Sequence, residues 1–113
     1  MSAEPTWNRG WTERDEHRLE KQAQHLESLA EQYESAIAKN KQGISSIQNS
    51  LNTDAGDKLS IAIEEWCLTA TGTVQKMRDA ATAIRAYNNK MITLWEAFQA
   101  ELKRYYEQLT QQQ

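Results

Sequence analysis

The chain has 113 residues and a formal net charge of −3, from 13 basic and 16 acidic residues interspersed along the sequence. Because the lysines and arginines do not cluster, we expect neither nucleic-acid binding nor a polybasic membrane anchor. With Cys67 as the single cysteine, neither an internal disulfide nor a cysteine-based metal framework is expected.

The N-terminal segment 1–11 is predicted to be an irregular arm, since it is largely polar and contains the only proline, Pro5. It has no apolar core of signal-peptide length, and no run in the chain approaches the roughly 18 apolar residues of a spanning helix. We therefore expect a protein made in the cytoplasm without membrane insertion. If it is secreted or reaches the cell surface, we expect a route that reads no cleavable leader.

A first helix is predicted from about residue 12 to about residue 51. Thr12 is a suitable N-cap, with Asp15 three residues later. Apolar residues then recur at alternating spacings of four and three, which places one narrow seam on one side of the helix. The predicted seam residues are Leu19, Ala23, Leu26, Ala30, Tyr33, Ile37, Asn40, Ile44, Ile47 and Leu51.

A polar turn is predicted at 52–57, and it contains Gly56. Asn52 can end the first helix, and either Thr53 or Asp54 can cap the second.

The second helix is predicted from about residue 54 to about residue 109, so the hairpin spans 12–110 and leaves a polar tail at 111–113. Its least helix-prone stretch is 68–74, where a kink or break would fall because of β-branched residues and a glycine. The predicted seam residues are Leu59, Ile63, Trp66, Ala70, Thr73, Met77, Ala80, Ile84, Tyr87, Met91, Leu94 and Phe98.

The two seams predict an all-α fold, an antiparallel two-helix hairpin. Asn40 and Thr73 are the polar seam residues, and they either select the helix alignment or are tolerated near solvent.

Apolar residues also lie beside the second seam, where Cys67, Val74 and Ala81 are seven residues apart. A hairpin needs only a narrow apolar stripe, whereas a bundle of more helices needs a wider one. We therefore expect the hairpin to dimerise, with itself or with a related helical protein, into a four-helix bundle. The predicted partner interface consists of Ile61, Leu68, Val74, Trp95, Leu102, Tyr105, Tyr106 and Leu109.

The second helix is the longer one, so its last turns should project past the end of the first helix. Two interpretations of this overhang are open. Either Trp7 and Trp11 fold onto it, or its aromatic residues bind a partner.

No residue pattern indicates catalysis, a cofactor or a metal ion, and we do not expect an enzyme. His17 and His25 lack the glutamate spacing of di-iron bundles. Cys67 has no histidine within local reach and is expected to be a small buried residue.

The segment from Asn52 to about Tyr87 is similar to the turn and second helix of the WXG superfamily, the small helical-hairpin proteins of type VII secretion. The similar features are Gly56, the amphipathic run to Glu65-Trp66, and Thr69-Ala70-Thr71. A length near one hundred residues, a central turn and two amphipathic helices extend the resemblance to most of the chain.

Two motifs of that family are missing. Leu51-Asn52-Thr53 stands in the place of the Trp-x-Gly turn. Tyr105 and Tyr106 are followed four residues later by Leu109 and Thr110 instead of an acidic residue.

The resemblance implies a bacterial protein that acts by helix–helix pairing, as a secreted subunit or as a helical targeting partner of a larger effector. It also implies delivery to a secretion ATPase. The missing carboxylate favours a divergent subunit or targeting partner over a self-sufficient export substrate. The alternatives are a type III secretion needle-like or chaperone protein, and a generic coiled-coil scaffold.

Overall fold

A computed structural model describes residues 3–112, which form two α-helices, α1 (Glu13–Ser50) and α2 (Asp54–Gln111). The helices pack lengthwise against each other in a body of 90 × 16 × 13 Å. This confirms the prediction of an all-α helical hairpin. The first two residues of the predicted arm and the last residue of the predicted tail lie outside the described residues.

The start of α1 is set by Thr12 and Asp15. Thr12 has the extended backbone of an N-cap, with φ −131° and ψ 169°. The Asp15 carboxylate accepts hydrogen bonds from the Thr12 N–H at 2.9 Å and from its hydroxyl at 3.3 Å. The hydrogen bond from the Thr12 backbone is the main reason that the pKa of Asp15 is lowered.

The turn is shorter than predicted and occupies residues 51–53. The Leu51 N–H donates to the Ile47 carbonyl at 2.7 Å, which closes α1. Thr53, one of the two predicted N-caps, accepts a hydrogen bond from the Gly56 N–H at 3.2 Å through its hydroxyl. A Cβ on Gly56 would lie 2.1 Å from the Leu51 carbonyl oxygen, so only glycine fits there without movement of the turn.

The helix α2 is unbroken through the stretch 68–74 that was predicted to be its weakest. The hydroxyls of Thr69, Thr71 and Thr73 donate to the carbonyls four residues earlier, at 3.2, 2.8 and 3.2 Å. Since these hydroxyls are satisfied within the helix, they do not compete for another backbone conformation. Packing against α1 then outweighs the weak intrinsic propensity of the stretch.

The two helices meet along a row of mostly small residues. The buried residues of α1 are Ala23, Ala30 and Ile37. The buried residues of α2 are Gly56, Ser60, Cys67, Ala70, Val74, Ala81, Asn88 and Met91. Small side chains let the helix axes approach closely, so the hairpin packs along its length with few large residues inside.

The structure corrects the predicted seam of α2 at four positions, where the side chains are exposed: Leu59, Trp66, Ala80 and Tyr87. Leu59, Trp66 and Tyr87 were placed inside the hairpin, yet 46%, 44% and 49% of their surfaces are exposed. In the first seam, Tyr33 and Leu51 were also placed inside but are 39% and 48% exposed. The residue one position after each of the three in α2 is buried instead, as Cys67 is beside Trp66.

The predicted partner interface is corrected as well, because Val74 is only 6% exposed and lies inside the hairpin. Val74 packs there with Cys67, Ala70, Ala30 and Ile37. Both rows of α2 are apolar, so either could have faced α1. The row with the smaller side chains is inside because larger ones would hold the two helices apart.

Candidate interaction surface

The hairpin has two long edges with different chemistry. On each helix, residues four positions after a buried residue lie on one side of the interface, and residues one position before it lie on the other side. The first set forms a charged edge. The second set belongs to an apolar face.

The charged edge carries ion pairs between the two helices. Arg85 bonds Glu20 through Nε at 3.2 Å and Nη2 at 3.0 Å, and Nη2 also donates to Glu27 at 2.6 Å. These hydrogen bonds lower the pKa of both glutamates and raise the pKa of Arg85. A further pair joins Arg78 and Glu34. Because the pairs join residues far apart in the chain, they help to set the lengthwise alignment of the helices.

The apolar face lies along the opposite edge. It combines residues that precede buried positions, apart from Lys90 at its border, with half-buried interface residues that point to the same side. Its members are Leu26, Leu29, Tyr33, Ala36, Asn40, Gly43, Ile47, Leu59, Ile63, Trp66, Thr73, Met77, Ala80, Ile84, Tyr87 and Leu94. None of them is charged.

The apolar face is large enough to be an interface. From Leu59 to Leu94 the helix rises about 50 Å, at about 1.5 Å per residue, and the hairpin is 16 Å across. A strip of that size presents about 800 Å², which is the area that one partner contributes to a standard protein–protein interface. Exposed apolar areas of this extent typically mark interaction sites.

A smaller exposed patch, Ile61 and Leu68, lies near the turn on the side of the charged edge. These two residues of the predicted partner interface are 54% and 75% exposed. Leu68 borders a shallow groove whose lining includes Lys41, Ile44 and Cys67. The patch and the apolar face point in different directions, so a single helix cannot cover both.

The N-terminal arm continues past the start of α1 and runs along the overhang of α2. The ring of Trp7 lies 5.1 Å from that of Trp95 and 5.6 Å from that of Phe98, and its Nε1 donates to the Trp11 carbonyl at 2.6 Å. Gly10 has φ +76°, a left-handed conformation that glycine adopts without strain and that bends the chain before Trp11. Of the two open interpretations, the structure shows the packing of both arm tryptophans on α2.

Asn88 joins three parts of the chain in the interior. Trp11 is 1% exposed, and its Nε1 donates to Asn88 Oδ1 at 3.0 Å. Asn88 Nδ2 donates to the carbonyl of Glu16 at 2.9 Å. The hydrophobic pattern does not identify Asn88, because its partners lie 77 and 72 residues away in the chain.

The arm also covers part of the overhang that was predicted to bind a partner. Leu102, Tyr105 and Leu109 are half-buried, and Tyr106 is half-exposed. The Tyr106 hydroxyl donates to the Glu4 carboxylate, and this bond raises the pKa of Tyr106. Trp95 is half-buried and donates from Nε1 to a Glu13 carboxylate oxygen at 2.8 Å.

The residues considered for chemistry are not brought together. His17 and His25 are exposed, whereas Cys67 is buried, with its Sγ 4.0 Å from the Ile37 carbonyl oxygen. Within residues 3–112, no group of three or more His, Cys, Asp or Glu residues is arranged to hold a metal ion. Neither described helix has the length and apolar character needed to cross a membrane.

No family model, curated protein or solved structure matches this chain. Sequence reasoning anticipated that the apolar surface of α2 is too wide for one partner helix, but it placed Leu59, Trp66 and Tyr87 on the wrong side of that surface.

Proposed function

We propose that this protein acts by helix–helix pairing through its apolar face, as a non-enzymatic, WXG-like protein of type VII secretion. It serves either as a secreted subunit or as a helical targeting partner of a larger effector. The observation that carries the proposal is the apolar strip of about 800 Å², which contains no charged residue and runs along one edge of a long hairpin.

Helix pairing would cover the side chains that the hairpin leaves in water. Trp66, Leu59 and Tyr87 are each nearly half-exposed. Two further helices placed against the apolar face would complete a four-helix bundle. Burial of apolar surface stabilises such an assembly by about 25 cal/mol per Å².

The secretion role is tested by export from the native bacterium. We expect a tagged chain to appear in the culture medium and to stay in the cells when the FtsK/SpoIIIE-type secretion ATPase is deleted. Trp66→Glu, which places a carboxylate on the apolar face, should lower export about tenfold by disrupting helix pairing. Gln75→Glu is the matched control, since it adds the same charge at an exposed position of α2 outside the apolar face and should leave export unchanged.

Circular dichroism of both variants must first show the helix content of the parent chain. Retention in the cells whether or not the ATPase is present would contradict the secretion role. Filaments that grow with protein concentration would favour a needle-like protein instead.

A further inference from the structure

We infer that the partner of the apolar face is a helix from a different protein, and that acidic residues flank the apolar stripe of that helix. The inference rests on the proposed helix pairing and adds the chemistry of the partner. Its starting point is the charge along the borders of the apolar face.

The borders of the apolar face carry only positive charge. They consist of the residues two positions after each buried one, which lie just beyond the apolar face on each helix. From residue 25 to 46 of α1 and from 62 to 97 of α2, the charged residues at these positions are Lys39, Lys76 and Lys90, and all three are exposed.

The acidic residues of the same stretches lie on other sides of the hairpin. Glu27 and Glu34 pair with arginines on the charged edge, and Glu64 belongs to the same edge. The remaining acidic residues lie on the outer sides of the two helices, away from the apolar face, and they are Glu31, Glu65, Asp79 and Glu96. A chain with a net charge of −3 therefore presents one face that is bordered by lysines alone.

This distribution disfavours a second copy as the partner. In a two-fold dimer through the apolar face, the same surface is used on both subunits, so lysine borders lie against lysine borders. Like charges at the rim of an interface raise the cost of the wrong pairing, whereas opposite charges speed and favour the right one. A helix with an apolar stripe and acidic flanks can cover the apolar face and also pair with the lysines at its borders.

The shape of the apolar face favours a helix over a lipid surface. The α1 side is low at Ala36 and Gly43, and a Cβ added to Gly43 would have no atom within 4 Å. The α2 side rises at Trp66 and Tyr87. The face thus has a ridge of large side chains beside a groove of small ones, which is the surface shape that packed helices require. Insertion into lipid instead favours bulky side chains along the whole face.

The test uses two synthetic helices with the same apolar stripe, one flanked only by glutamates and the other only by lysines. Binding to the full chain is measured by isothermal titration at low and high salt. We expect the glutamate-flanked helix to bind at least about tenfold more tightly at low salt, and the difference to shrink at high salt as the charges are screened.

Charge reversal on the chain supplies the decisive comparison. Lys76→Glu with Lys90→Glu should reverse the preference in favour of the lysine-flanked helix. Lys21→Glu with Lys103→Glu changes the net charge equally but lies off the borders, so it should leave the preference for glutamates in place. Trp66→Glu should weaken binding of both helices.

Three results would overturn the inference. One is equal binding of the two helices by the parent chain. Another is a tight, salt-insensitive homodimer in sedimentation equilibrium that Trp66→Glu dissociates, which would identify a second copy as the partner. The third is tighter binding to phosphatidylcholine–phosphatidylglycerol vesicles than to the glutamate-flanked helix. If the parent chain is not exported but still prefers the glutamate-flanked helix, only the secretion role is contradicted.

Discussion

At the scale of single residues, Asn88 shows how a polar side chain can stabilise a hairpin with few large buried residues. Its amide accepts from Trp11 and donates to the Glu16 carbonyl, so the arm, α1 and α2 are joined at one point. Buried polar groups are costly unless they are paired, and Asn88 has a partner on both sides of its amide. Ser60 differs, because its buried hydroxyl oxygen has no hydrogen-bond partner among residues 3–112.

Asn88→Ala should lower the free energy of unfolding by about 1–3 kcal/mol, because it leaves the Trp11 indole N–H and the Glu16 carbonyl without their bonds. Urea denaturation followed by circular dichroism measures the change. Asn89→Ala is the matched control, since Asn89 is exposed on the same helix turn and should change stability by less than about 0.5 kcal/mol. Equal effects of the two substitutions would show that Asn88 does not join the arm to the helices.

At the scale of helices and turns, the connection between α1 and α2 depends on a close approach rather than on a particular turn motif. Thr53 caps α2, and the absence of a side chain at Gly56 lets the first turn of α2 lie against the Leu51 carbonyl. Gly72, within α2, has open space around the position of a Cβ. A Cβ would therefore clash at Gly56, whereas there is room for one at Gly72.

Gly56→Ala should destabilise the hairpin by about 1–3 kcal/mol, because the new methyl group meets a backbone oxygen and the turn must move. Gly72→Ala should stabilise it by about 0.5–1 kcal/mol, since alanine is the better helix former and nothing obstructs it. Thermal and urea unfolding of both variants measures the contrast. A stabilising Gly56→Ala would mean that the turn has room for a side chain.

At the scale of the whole molecule, the hairpin separates its charges from its apolar surface. Ion pairs along one edge hold the helices in register, and the opposite edge presents the apolar face. Exposed ion pairs add little to stability individually. Their position leaves the other edge free of charge, and the proposed helix pairing is based on this asymmetry.

The charged edge should make stability depend on pH in acid. Glu20 and Glu27 have pKa values below the usual 4.5, chiefly because of hydrogen bonds from Arg85. A carboxyl whose pKa is lowered by folding stabilises the protein above its unfolded pKa, and this contribution disappears as pH falls through the folded pKa. Arg85→Gln should therefore lower the melting temperature near neutral pH and have little effect once both glutamates are protonated.

Melting curves across the acidic range, recorded for the parent chain and for Arg85→Gln, measure this dependence. Lys103→Gln removes the same charge from an exposed position of α2. Its melting temperature should differ from that of the parent chain by an amount that does not change as Glu20 and Glu27 titrate. A melting difference for Arg85→Gln that is the same at every pH would indicate lost packing rather than lost ion pairing.

The sequence by itself determined the helices, the position of the turn and the excess of apolar surface, because these follow from local caps and from spacing along one chain. Gly56 was recognised as part of the turn, yet its contact with the Leu51 carbonyl was not. The periodicity of α2 also supports two adjacent apolar rows, and periodicity alone does not distinguish them.

Only the tertiary structure decided which row faces inward. Helices approach most closely over small side chains, so the row with Cys67, Val74 and Ala81 is buried, and Leu59, Trp66 and Tyr87 remain outside. The row that faces inward also decides two other features. It places Asn88 where the arm docks, and it places the lysines at the borders of the apolar face. Each brings together residues that are distant in the chain, and the spacing of residues along a single helix does not contain that information.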